Sequence, residues 1–245
     1  MTKYKYLHIY LPVFFALWVG LFFDSKIISS EFIHSQYFTL AITLITFIWI
    51  YTKVSVKIKK LMLCGLLLAI LGEVFFSLIL GMYTYRLENL PLYVPLGHSI
   101  IYAGVFYITK EPIFKKNQES IIKILYVSMI VYSTAWLIFD NDVFGFICML
   151  VIIYIFKRRP NTKFFFLIMF FVIVYLELLG TYYQCWYWPE IWFDKIAFIP
   201  SSNPPSGISV FYFGFDAGCL WFYKKFNKQK WTRFRNLQKI KREKI

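Results

Sequence analysis

The sequence predicts an all-α, polytopic integral membrane protein, and three observations carry that expectation. Of the 245 residues, 59% are hydrophobic, 22% aromatic and only 16% charged, whereas about a quarter of a soluble domain is charged. Apolar runs recur along the whole chain. The basic residues gather between every second pair of those runs.

Eight runs stand out, at residues 7–23, 37–51, 61–83, 94–108, 121–139, 143–156, 164–183 and 208–222. A span takes roughly 20 apolar residues, fewer where flanking groups snorkel. Because the second, fourth, sixth and eighth runs are short, the count of eight rests on charge. Lys and Arg flank the cytoplasmic ends of helices. With alternate connections cytoplasmic, 24 of the 27 basic residues fall on one side, leaving only Lys26, Arg86 and Lys195 on the other. A miscount by one helix would destroy that alternation. The expectation is eight transmembrane helices of a bacterial-type inner membrane, with both termini cytoplasmic.

The net charge of +14 does not point to nucleic acid, because the charges lie between apolar runs instead of forming a basic face. Lys3 and Lys5 precede an apolar run as in a signal peptide, yet Phe22-Phe23-Asp24 offers no small-residue cleavage site, so a retained first span is expected. Cys64, Cys148, Cys185 and Cys219 are scattered and read as packing residues.

An acid inside a span costs several kcal/mol unless it faces a partner or a wet cavity, so it marks a candidate site. Two recur in matching contexts. Glu73 and Glu177 are each followed by a hydroxyl four residues on (Ser77, Thr181) and a tyrosine ten residues on (Tyr83, Tyr187). Further along, Pro95, Gly97, Ser99, Tyr102 and Gly104 recur as Pro205, Gly207, Ser209, Tyr212 and Gly214. These matches predict two parallel four-helix repeats, residues 1–110 and 111–223, related by an axis along the membrane normal. A basic amphipathic cytoplasmic tail, 224–245, follows, with Trp231, Phe234, Leu237 and Ile240 set among Lys and Arg for an anionic leaflet.

Counted at 1.5 Å per residue, both acids lie about 18–20 Å up from the cytoplasmic ends of their runs, at one level. His98 falls near the outer end of its run and Asp216 near the midplane, while Arg86 and Glu88 are expected at the outer mouth. Glu73, Glu177, Asp216 and His98 are the candidate acid/base groups. Ser77, Tyr83, Tyr102, Thr181, Tyr187 and Tyr212 are the candidate ligand contacts. The plainer alternative is that each acid is protonated and bonded to a tyrosine of the next helix. Similarly, Gly214 and Gly218 suit close helix packing better than ligand contact.

Residues 184–207 form the longest external loop, rich in Trp and Tyr, and read as an interfacial belt with a lid as the alternative. Within it, Asn203-Pro204-Pro205 followed by Ser206-Gly207 is expected to start the last span.

Several chemistries lack their residues. The three histidines, His8, His34 and His98, cannot converge on one metal in this topology; no Gly-Lys-Ser/Thr phosphate loop and no Gly-x-Ser-x-Gly occurs either. No cofactor or metal is indicated. Downstream of Glu73, Tyr83-Thr84-Tyr85 and Val94-Pro95-Leu96 resemble, over about 30 residues, carotenoid-pathway hydratase-type membrane proteins. The Gly-x-Pro-Phe-Gly element associated with them is absent, so no residue role is carried over. What the resemblance implies is a hydrophobic substrate.

The functional expectation is an outward-facing intramembrane acidic and aromatic cavity that binds or modifies a lipid-like molecule, isoprenoids included. The expected partners are that molecule and the membrane lipids. A small proton-coupled transporter using Glu73 and Glu177 is one alternative. A non-catalytic assembly partner packed through its glycine faces is the other.

Overall fold

The structure, a computed structural model, describes residues 4–29, 35–193, 195–226, 228 and 232. The tail residues Trp231, Phe234, Leu237 and Ile240, together with His34 and Asp194, lie outside them. The chain is mostly helical, 76%. Five helices are long and apolar enough to cross a membrane: Leu7–Ile28, Ser35–Lys53, Val56–Ile79, Gln118–Asp140 and Pro160–Tyr182. This is an α-helical membrane protein with multiple spans.

Every apolar run of the sequence coincides with a helix. We label these α1 (Leu7–Phe15, continuing through a π-helical stretch Ala16–Gly20 and Leu21–Phe23), α2 (Ser35–Lys53) and α3 (Val56–Glu73, continuing as π-helix over Val74–Ile79). Next come α4 (Tyr93–Ile108), α5 (Gln118–Asp140), α6 (Val143–Arg158), α7 (Lys163–Tyr182) and α8 (Val210–Phe226). Two short strands, β1 (Thr84–Tyr85) and β2 (Trp186–Tyr187), pair antiparallel between them.

Composition decides which helix is central. Nearly every residue from Phe164 to Leu179 is apolar, so α7 has no face suited to water and is buried all round. It is 67% buried over its apolar window, against 11% for α5, which presents Ile124, Val127, Val131 and Ile138 outward. In a bilayer that outward face meets lipid tails, which are as apolar as the side chains themselves.

Inside the bilayer each freed backbone group needs a protein partner. Pro12 has no N–H to offer the His8 carbonyl one turn back; Trp49 of α2 donates its indole Nε1–H to that oxygen at 3.0 Å instead. Likewise, the π-helical stretch of α1 ends at Gly20, whose carbonyl accepts the Thr39 hydroxyl at 2.7 Å.

Buried acids also fasten the loops. Glu111 accepts the backbone N–H groups of Lys5 and Tyr6 at 2.7 and 2.6 Å, tying the start of α1 to the α4–α5 connection. Asp142 caps α6 by accepting from Gly145 N and also from Ser202 N and Ser206 N. That anchor explains a departure from the sequence expectation. Residues 206–209 form turns and α8 begins only at Val210, so Pro205 is not in its first helical turn; Asp142 holds the preceding segment in place.

Candidate functional site

The site is built from the ends of α3 and α7 and from the two-stranded ribbon above them. Thr84 pairs with Tyr187, and Tyr85 with Trp186. Successive strand residues point to opposite faces, so Tyr83 and Tyr85 share a face with Trp186 and Trp188. Thr84 and Tyr187 share the other. The inward face carries four aromatic hydrogen-bond donors, and each helix below supplies one carboxylate to receive them.

Glu73, the last residue of regular α-helix in α3, is 4% exposed. Its Oε2 accepts the Tyr83 hydroxyl at 2.7 Å and the Tyr85 hydroxyl at 2.6 Å, while His98 Nε2 of α4 lies 2.9 Å from Oε1. A carboxylate offers four lone-pair sites on two oxygens and no donor when ionised, so it suits three donors. The His98 ring is in turn stacked on Tyr212 of α8, 4.7 Å between centroids.

Glu177 of α7, 6% exposed, has a different shell. Both indoles, Trp186 Nε1–H and Trp188 Nε1–H, donate to the same oxygen, Oε2, at 2.8 and 3.0 Å. Gly180, one turn further along α7, makes this possible, because a Cβ there would run into the Trp186 ring. The two shells are linked across the ribbon by the Tyr83 and Trp188 rings, 4.5 Å apart.

Below the ribbon lies a cavity of ≈ 100 Å³ to which both acids contribute. Its walls come from α1 (Ala16, Leu17, Leu21), α2 (Thr39, Thr43), α3 (Phe76), α4 (Val94, Gly97, Ile100, Ile101), α7 (Leu176) and the start of α8 (Phe211, Tyr212, Phe215). Both π-helical stretches border it, through Ala16 and Leu17 and through Phe76. Among the described residues no lysine or arginine lines it. Thr39 and Thr43 add little polarity, since each hydroxyl already donates to a backbone carbonyl.

The predicted site residues divide. Glu73, Tyr83, His98, Glu177 and Tyr212 all line the cavity. Tyr187, expected to match Tyr83, is on the outward face of the ribbon and is 51% exposed. The Ser77 hydroxyl donates to the Tyr83 carbonyl and that of Thr181 to the Glu177 carbonyl, and neither residue lines the cavity. Asp216 and Tyr102 face one another away from the cavity, with Arg159 near enough to act electrostatically on the acid. A Cβ on Gly218 would press on Leu68 of α3, whereas one on Gly214 would meet nothing within 4 Å among the described residues.

Arg86 forms an ion pair with Asp24 at 2.6 Å, a partner the sequence did not indicate, and Tyr93 donates to the other Asp24 oxygen at 2.6 Å. This node ties the C-terminal end of α1 to the ribbon and to the first turn of α4. The loop tryptophans differ as well, since Trp186, Trp188 and Trp192 turn inward and are buried, where an interfacial belt was expected.

Tyr85, Trp186, Trp188 and Asp24 are therefore among the members that sequence reasoning missed. The signal for the tryptophans was present: aromatic donors two residues apart follow each acid, at Tyr83 and Tyr85 and again at Trp186 and Trp188. Among the described residues no group of three or more His, Cys, Asp or Glu is placed to hold a metal ion. In comparisons with known proteins, the chain matches no protein-family model, no curated protein and no solved structure.

Proposed function

We propose that this chain is an eight-span protein of a bacterial-type inner membrane, with both termini cytoplasmic, whose outward-facing cavity binds or modifies a lipid-like molecule of the isoprenoid type. The observation that carries the reading is the cavity wall, apolar and aromatic over most of its area, with two buried carboxylates at one end. Sites for apolar ligands have this lining, a hydrophobic wall with a few placed polar groups, and a cavity of ≈ 100 Å³ takes one end of such a molecule. A carboxyl group in such a place can also hold or transfer a proton to a bound molecule.

Three helices beyond the five long ones are needed for eight spans. Tyr93–Ile108, Val143–Arg158 and Val210–Phe226 have 16, 16 and 17 residues, rising about 24–26 Å, and flanking residues make up the remainder of a ~30 Å core. Parallel four-helix halves, 1–110 and 111–223, are supported by the way α4 packs on α7 while α8 packs on α3. Reporter fusions after Lys60, Lys116 and Arg159 are expected to read cytoplasmic, and fusions near Glu88, Asp142 and Pro200 external. A single clear inversion would remove both the eight-span count and the parallel halves.

The ligand reading is tested by purifying the protein in gentle detergent and identifying what co-purifies by mass spectrometry. An apolar lipid near one per chain, enriched over the membrane extract, is the expected result. Recovery of bulk phospholipid alone, in membrane proportions, would end the reading. A proton-coupled transporter is the second possibility, favoured by Asp216, which lies one turn beyond Tyr212 on α8 and faces Tyr102. Proton-driven solute accumulation in proteoliposomes, lost in Asp216→Asn, would put that reading in place of the first.

A further inference from the structure

The two carboxylates do not play the same part, and the difference specifies the ligand. Five acids are buried among the described residues: Asp24, Glu73, Glu111, Asp142 and Glu177. In four of them both oxygens are engaged, by Arg86 and Tyr93, by His98 and two tyrosines, by two backbone N–H groups, and by three. Glu177 is the exception. Both of its indole donors converge on Oε2, so Oε1 takes no hydrogen bond from any described residue, although the side chain lines the cavity. Tyr212 is in the same position, since its hydroxyl has no hydrogen-bond partner among the described residues, lines the same cavity and lies in the electrostatic field of Glu177.

Neither atom is among the fully enclosed side-chain atoms without a partner, which include His98 Nδ1 in the same site, so both stay open to the cavity, where water or a ligand has to meet their hydrogen-bonding capacity. We propose that Glu177 Oε1 and Tyr212 Oη are the ligand-contacting pair, and that the cavity takes a lipid with an uncharged hydroxyl at its polar end. A hydroxyl has the chemistry to serve both atoms, donating to the carboxylate oxygen and accepting from the tyrosine. A phosphate suits the cavity poorly, because among the described residues no lysine or arginine lines it and its one histidine, His98, already faces Glu73, so the added negative charge would meet two carboxylates where repulsion is poorly screened. An ammonium could donate to Glu177 Oε1 and to Tyr212 Oη but would leave the Tyr212 O–H without an acceptor. In this arrangement Glu73 is a positioning residue, which holds the ribbon and the His98 ring.

The inference rests on the lipid-binding reading of the same cavity and names the headgroup. It is tested with three probes of one chain length, farnesol, farnesyl phosphate and farnesylamine, titrated against the full-length protein in nanodiscs and followed by native mass spectrometry and tryptophan fluorescence. Farnesol is expected to bind one per chain and about tenfold or more tighter than either of the others, the size of effect of one hydrogen bond to a charged group. Glu177→Ala and Tyr212→Phe should each weaken farnesol about tenfold. Should Glu177→Ala fail to fold, Glu177→Gln serves in its place and should narrow the preference for farnesol over the phosphate. Phosphate or amine binding as tightly as the alcohol, no saturable farnesol binding, or unchanged affinity in the Glu177 and Tyr212 variants would overturn the proposal. If an anionic lipid co-purifies from cells, the headgroup assignment fails while the lipid-binding reading stands; if no enriched lipid is found, that reading falls first.

Discussion

Glu73→Ala is expected to destabilise the protein by about 3–5 kcal/mol, because it strands three groups at once in a buried place. The Tyr83 and Tyr85 hydroxyls and His98 Nε2 would all lose their common partner. Tyr85 is only 5% exposed, so water cannot easily replace the carboxylate. For a chain of this size each kcal/mol shifts the unfolding midpoint by about 2–4 °C, so a thermal melt in detergent should fall by roughly 6–20 °C. Glu73→Gln should cost far less, about 1–2 kcal/mol, since the amide oxygen can still receive both hydroxyls. A melt of Glu73→Ala within 2 °C of the wild type, an interval of less than about 1 kcal/mol, would show that the three donors find other partners and that Glu73 does not hold the ribbon.

Arg86→Ala should be the second large loss, about 3–5 kcal/mol, because it leaves Asp24 charged, fully buried and deprived of its cation. The Asp24 side chain has no exposed surface and that of Arg86 is 11% exposed. Part of the loss should be local. Arg86 follows β1 directly and also donates from Nε to the Asp24 carbonyl at 2.8 Å, so its removal frees the ribbon from the end of α1. Protease cleavage in residues 80–92 is expected to rise before the helices unfold, as for any segment that opens at lower free energy than the whole. Adding Asp24→Asn to Arg86→Ala should recover much of the stability, because the unpaired charge is then gone. If the double variant is no better than Arg86→Ala alone, packing and not charge is what Arg86 contributes.

The helical class, the placement of the apolar runs and the candidate acids were determined by the sequence alone, because each depends on quantities read residue by residue. Transfer of apolar side chains out of water is roughly additive along a run, and α7, apolar on every side, is legible as a buried helix without any knowledge of its neighbours. An acid inside such a run is equally conspicuous, which is why Glu73 and Glu177 could be singled out.

What holds those acids was settled only by the tertiary structure. Tyr187, ten residues after Glu177 as Tyr83 is after Glu73, was expected to match Tyr83 as a ligand contact. In the ribbon the pairing of Tyr85 with Trp186 puts Tyr187 on the outer face, and a one-residue difference of register turns every side chain over. Trp186 and Trp188 reach the acid in its place. Register depends on which strands meet across about a hundred residues of chain, and no local pattern contains it. The same holds for Asp24, an unremarkable acid after the first apolar run until the fold sets Arg86 and Tyr93 against it. Side chains that are adjacent only through packing are invisible to periodicity, and the open oxygen of Glu177 is visible only once every donor around it has been placed.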